Sequence, residues 1–167
     1  METNVILIKE LKQYIHEAMD GYSSWKRKNV TLRGMKEYGR ANENYGSFGK
    51  GLYTAFLGNK ELARQYGQVY FVLNAKPKNP KVFQYRNDAE MFTQKLVDKF
   101  CKEHGHEYSP AFFEEHTTMD KEMLKLGYDG LVIKGREMVN YTPENIKYFE
   151  TERQLQRYYD DFVEPYE

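Results

Sequence analysis

Glycine punctuation in two dense blocks constrains this chain most. The first runs Tyr45-Gly46-Ser47-Phe48-Gly49-Lys50-Gly51-Leu52-Tyr53-Thr54-Ala55, followed shortly by Asn59-Lys60-Glu61-Leu62-Ala63-Arg64-Gln65-Tyr66-Gly67. It reads as a glycine-rich loop, a short strand carrying an aromatic, and a helix with Asn59 as its cap and Gly67 as its stop. The second block is Gly127-Tyr128-Asp129-Gly130-Leu131-Val132-Ile133-Lys134-Gly135-Arg136-Glu137-Met138-Val139-Asn140-Tyr141. Turns this close together require short strands. The pair of blocks suggests a pocket that stacks a flat ring on Tyr53 and offers Glu137 to a polar ligand.

The glycine loop fits neither common nucleotide loop. A phosphate loop needs four spacers between its glycine and a Gly-Lys-Ser/Thr ending, but here Lys50 is followed by Gly51. A dinucleotide fingerprint needs a strand before the glycines and a helix directly after them. Here a polar segment, 36–50, precedes, and Leu52-Tyr53 continues as strand.

Elsewhere the pattern is mixed. Val5, Ile8, Leu11, Ile15 and Met19 recur at helical spacing, predicting an N-terminal helix over about 4–20 that Asp20-Gly21 ends. Asn29–Met35 reads as a strand, Gly51–Phe56 as another, and Gln68–Ala75 as the clearest one, broken by Pro77 and Pro80. Val82–Tyr85 reads as a brief strand. Phe92, Leu96, Val97 and Phe100 form one stripe of a helix over Asp88–His104. Ser109-Pro110 is an N-cap with proline at the first helical position, predicting one further helix toward Leu126. Leu131–Ile133, Met138–Tyr141 and Ile146–Phe149 read as closing strands, and a terminal helix follows over about 151–162. Helices and strands do not alternate regularly, which favours an α+β domain over a doubly wound sheet. The 167 residues suit a single domain, 1–167.

Charge is balanced, 25 basic against 25 acidic residues, which argues against nonspecific DNA binding. The one tight basic run, Trp25-Lys26-Arg27-Lys28, reads as solvated surface. A single cysteine, Cys101, excludes an intramolecular disulfide and fits a reducing compartment. No signal-peptide pattern and no membrane-length apolar run is present, so the expectation is a soluble cytoplasmic protein with no membrane partner. Cys101, His104, His106 and His116 lie close in sequence, but no second paired half completes a closed zinc set, and no metal is expected. Aromatics are abundant, with 15 Tyr and 10 Phe. They suit a β-rich core and flat-ring binding alike.

Leu32-Arg33-Gly34, the block Phe48–Ala55, the helix ending Ala63-Arg64-Gln65-Tyr66-Gly67, and Gly127-Tyr128-Asp129-Gly130 through Glu137 to Ile146-Lys147 occur in an order that resembles the ADP-ribosyltransferase superfamily. The likeness is to its phage and bacterial toxin-like members and covers roughly 31–149. It implies a split β-sandwich of two small sheets flanked by helices, with NAD bound as substrate in the cleft between them. It implies that Arg33 holds the nicotinamide-side ribose or a phosphate, and that Gly34 lets the backbone approach the nicotinamide amide. Tyr53 would stack on the ring, Thr54 would bond ribose or support the glutamate, and Lys50 with Gly51 would line the pyrophosphate side. Glu137 would hold the ribose 2′-hydroxyl and stabilise the cation developing on the sugar.

Each residue also has a plainer reading. Arg33 can be a surface arginine, Tyr53 a core tyrosine, Thr54 an ordinary strand threonine, Lys50 a solvated loop lysine, and Glu137 a solvent-facing strand residue near a turn. Tyr45 and Phe48 could shape the adenine or acceptor side, and Asn140 could support the site from further along the strand. Arginine-modifying relatives carry a second acid or amide two positions before the catalytic glutamate. Here that position is Gly135, which leaves the acceptor, protein or nucleic acid, open. Lys134 or Arg136 could guide an acidic or nucleic-acid target. The resemblance therefore implies a mono-ADP-ribosyltransferase, as in a phage or toxin effector. A catalytically silent binding module that occludes a host target is the rival. An RNA-end phosphotransferase of the same fold would want a denser Arg and His set around 31–39.

Overall fold

The structure is a computed structural model that describes residues 28–31, 45–64 and 70–163. Nine strands occur among them: β1 Lys28–Thr31, β2 Tyr45–Gly46, β3 Gly49–Lys50, β4 Leu52–Phe56, β5 Phe71–Leu73, β6 Pro80–Phe83, β7 Gly130–Ile133, β8 Glu137–Asn140 and β9 Lys147–Phe149. The α-helices are α1 Lys60–Arg64, α2 Arg86–Glu103, α3 Pro110–His116, α4 Met119–Lys125 and α5 Glu152–Tyr158. The fold is α+β. Seven strands form one mixed sheet in the order β6-β7-β8-β4-β1-β5-β9, and β2-β3 is a separate ribbon. All neighbours in the large sheet are antiparallel except β6 and β7. The predicted N-terminal helix lies outside the described residues, as do Arg33, Gly34 and Gly67.

The pleat sorts side chains into two layers. Tyr53, Ala55, Leu131, Ile133 and Val139 join one core cluster with Val97, Phe100 and Cys101 of α2, Phe113 of α3 and Met123 of α4. Alternate residues of the same strands, among them Leu52, Phe56, Val132 and Met138, belong to smaller clusters on the opposite face. This explains why β5 and β7 read as unbroken apolar runs: they are buried on both faces.

Several helix boundaries differ from the sequence reading: α2 opens at Arg86 rather than Asp88, and α5 ends at Tyr158 rather than near 162. Asn59 ends a tight turn, Leu57–Asn59, that runs straight into α1. The single helix expected from Ser109 to Leu126 is two. Ser109 caps α3 by accepting from the Phe112 amide at 3.1 Å, as its sequence suggests. Thr117 and Thr118 then adopt extended backbone. These β-branched residues resist helix continuation, and the Thr117 hydroxyl bonds the Glu122 carboxylate of the next helix at 2.8 Å.

The Gly127–Gly130 block has a structural account. Gly127, at φ +91°, follows α4. Its amide bonds Leu124 O and that of Tyr128 bonds Met123 O, each at 3.0 Å, a Schellman ending that needs the left-handed glycine. Asp129 then accepts from the amides of Lys78 at 2.8 Å and Asn79 at 2.7 Å, which fixes the turn that delivers β6 beside β7.

Candidate functional site

Glu137 opens β8 directly after the turn Lys134–Arg136. Gly135 occupies that turn at φ +68°, and Arg136 N bonds Ile133 O at 3.1 Å to close it. The position two before Glu137 is thus set by backbone shape, since a left-handed residue here favours glycine.

Across the β4–β8 ladder, Glu137 pairs with Ala55 and Val139 with Tyr53. Glu137 therefore shares a face with Tyr53. Glu137 is only 4% exposed. A buried carboxylate needs a charged partner, and two arginines supply it. Arg86, the first residue of α2, donates through Nη1 to Glu137 Oε1. Arg136 Nε lies 3.4 Å from the same oxygen. Arg86 also donates from Nε to Glu90 Oε1 at 2.9 Å and from Nη2 to Ser47 Oγ at 3.2 Å. Its guanidinium carbon sits 5.1 Å from the centre of the Phe48 ring. Arg86 was absent from the sequence reading. Its spacing to Glu90 was a visible signal, but nothing in the chain announces a partner at Glu137.

The glycine-rich turn is tightly fastened. Tyr53 accepts from the Phe48 amide at 3.1 Å and donates to the Gly49 carbonyl. Tyr141 donates to the Phe48 carbonyl at 2.8 Å. The Lys50 amide donates to Asp120 Oδ1 at 3.1 Å. Gly49, at φ +103°, packs so closely on α4 that an added Cβ would stand 2.6 Å from the Asp120 nitrogen. A pocket of about 440 Å3 adjoins this turn, lined by Ser47 and Gly49 together with residues that include Val97, Phe113 and Met119.

Several expected roles meet different surroundings. Tyr53 is 6% exposed and packed in the core, so its ring has no open face for a ligand. Thr54 pairs with Met138 and is fully buried on the face opposite Glu137, so it does not support that carboxylate directly. Gly51 is buried against β8, where an added Cβ would come 2.6 Å from the Asn140 carbonyl. Its lack of a side chain serves packing. Asn140 also faces away from Glu137. It donates to Ala75 O at 3.1 Å and accepts from the Thr142 amide at 2.9 Å. Lys50 is partly exposed on the ribbon beside the turn. Glu137 is buried and ion-paired, the opposite of a solvent-facing strand residue.

The remaining candidates have local partners. Cys101 is buried with Sγ 3.5 Å from Ser109 O, and His104 stacks on Phe100. His106 and His116 pack on the Phe112 ring. Among the described residues no group of three or more His, Cys, Asp or Glu stands close enough to hold a metal ion, and no helix is long and apolar enough to cross a membrane.

No protein-family model matches the chain, and neither a curated protein nor a solved structure matches it.

Proposed function

We propose that this chain is a mono-ADP-ribosyltransferase that cleaves NAD and passes ADP-ribose to a macromolecular acceptor or to water. The observation that carries the reading is the adjacency of three blocks far apart in sequence. The strand that leads toward Arg33 pairs with the strand bearing Tyr53, which pairs with the strand opened by Glu137. A finer assignment of the fold, as the split β-sandwich of the ADP-ribosyltransferases, belongs to the same proposal.

In this mechanism the bond between ribose C1′ and the nicotinamide nitrogen breaks. Its electron pair leaves with nicotinamide, and positive charge develops on the ribosyl ring. Glu137 holds the 2′-hydroxyl and stabilises that charge at short range, in a site screened from water. The acceptor nucleophile then adds to C1′ and loses its proton. Arg33 and Gly34 are assigned to the nicotinamide side, and Lys50 to the pyrophosphate. Tyr53 is assigned the floor beneath the turn, which its hydroxyl fastens. The protein acts within the cell on a protein or nucleic-acid acceptor.

The burial of Glu137 favours a second reading, a silent module of the same fold that binds a host target. The deciding experiment measures nicotinamide release and NAD binding together, wild type beside Glu137→Gln. Release that depends on Glu137 supports the transferase. Neither release nor binding in the wild type supports the silent module.

A further inference from the structure

Resting on that reading, we infer that Arg86 is the positioning residue of Glu137: it engages Oε1 and so turns Oε2 toward the ribose hydroxyl. Both arginine contacts fall on one carboxylate oxygen, Oε1. The two arginines do not contribute alike. Arg136 is the more exposed, with 42% of its side chain accessible against 30% for Arg86, and its Nε is buried without a hydrogen-bond partner. Arg136 thus supplies charge, and Arg86 supplies direction.

The direction is fixed from several sides. Arg86 stands at the head of α2, which Ala89, Thr93 and Val97 bury against the core. Glu90 takes its Nε, Ser47 takes its Nη2, and the Phe48 ring lies beside its plane. Its three nitrogens take three separate acceptors, Glu90, Glu137 and Ser47, in one rigid plane, a spread that the single nitrogen of a lysine would not reproduce. A carboxylate buried without this grip could rotate and present either oxygen. The same guanidinium holds the Ser47 end of the glycine-rich turn, so the turn and the carboxylate keep one relation to each other. Misplacing a reacting group by about 1 Å costs roughly 100-fold in rate.

The test is steady-state NAD cleavage by wild type, Glu137→Gln, Arg86→Ala and Arg86→Lys, with thermal melting of each. Arg86→Ala should lose roughly 100-fold in kcat while KM for NAD moves by less than about threefold. Arg86→Lys should recover only part of the loss. Added guanidinium ion should restore Arg86→Ala and leave Glu137→Gln inert. Wild-type kcat in Arg86→Ala, or a loss carried wholly by KM, would overturn the assignment. If Arg86→Ala does not fold, Arg86→Lys decides: a kcat at least tenfold down at unchanged KM supports positioning, and a wild-type kcat overturns it. Cleavage that requires Glu137 but ignores Arg86 defeats this inference alone. Absence of both NAD cleavage and NAD binding in the wild type defeats the transferase reading and the positioning role with it.

Discussion

Gly130 lies directly against Pro77: a methyl group added to Gly130 would stand 2.5 Å from both Cβ and Cγ of that ring and 2.5 Å from the Val139 carbonyl oxygen. The carbonyl belongs to the β7–β8 ladder and has little freedom to yield. Gly130→Ala should therefore destabilise the fold by about 1–3 kcal/mol in a denaturant titration. Gly58→Ala is the control, because nothing lies within 4 Å of its added Cβ, and it should change stability by less than about 0.5 kcal/mol. Equal effects of the two would show that the close approach to Pro77 is not what requires glycine.

Asp129 gives a second handle on the same corner. Asp129→Ala removes the acceptor of two backbone amides, those of Lys78 and Asn79. The turn is open to water, which can replace part of the loss. We expect a cost of about 1–2 kcal/mol, with amide exchange accelerated at 78 and 79 first. Unchanged exchange there would remove Asp129 as the anchor of β6.

Tyr53→Phe separates two roles for one ring. The variant keeps the aromatic face and deletes the hydroxyl that bridges Phe48 N and Gly49 O. Stacking on nicotinamide alone would survive it. Fastening of the turn would not, and the buried groups left unpaired cost about 1–3 kcal/mol. We expect a lower melting temperature and faster proteolysis near Ser47. A variant as stable as wild type would show that the hydroxyl does not fasten the turn.

For Glu137→Gln, shape is retained and charge is lost. Nicotinamide release should fall by roughly 100- to 1000-fold, with melting preserved to within a few degrees. Release at the wild-type rate would end the transferase assignment.

Alkali offers a further check. Burial pushes the Tyr148 phenol from 10.0 up to about 12. The Tyr141 phenol is raised as well, first by burial, then by Tyr53 and Asp120. A raised acid binds its proton more tightly in the native state, so the unfolded chain ionises first as pH climbs. Stability from Tyr148 is complete below pH 10.0 and is lost on the way to about pH 12. Circular dichroism against pH should show unfolding within that window, and Tyr148→Phe should flatten its slope. Identical slopes would rule out Tyr148 as the source.

Local chemistry made much of this architecture readable. Ser109 before Pro110, the stripe through Val97 and Phe100, and the short strands around Gly130 all depend on neighbours in sequence. The class α+β followed from them. Contacts across long separations were not readable. Arg86 and Glu137 lie 51 residues apart, and no spacing rule joins them. Nor could Thr54 be assigned its side of the sheet until the register with Met138 fixed the pleat. Gly51 and Gly135 attracted notice as glycines of a ligand loop and a missing acid. One answers to a close backbone approach and the other to a positive φ.

The parallel pairing of β6 with β7, the sole one among the described residues, has a consequence for the order of assembly. The β7–β8 hairpin closes over a three-residue turn, whereas β6 meets β7 only after the segment carrying α2, α3 and α4 has come back across the sheet. Non-local pairing of this kind waits on the closure of a long loop. Arg86 stands at the start of that segment and Glu137 at its far side. A chain with its hairpin formed and its crossover undocked would hold the carboxylate without its arginine. The ion pair is then a molecular record of completed folding, and the chemistry assigned to Glu137 would be silent until the record is written.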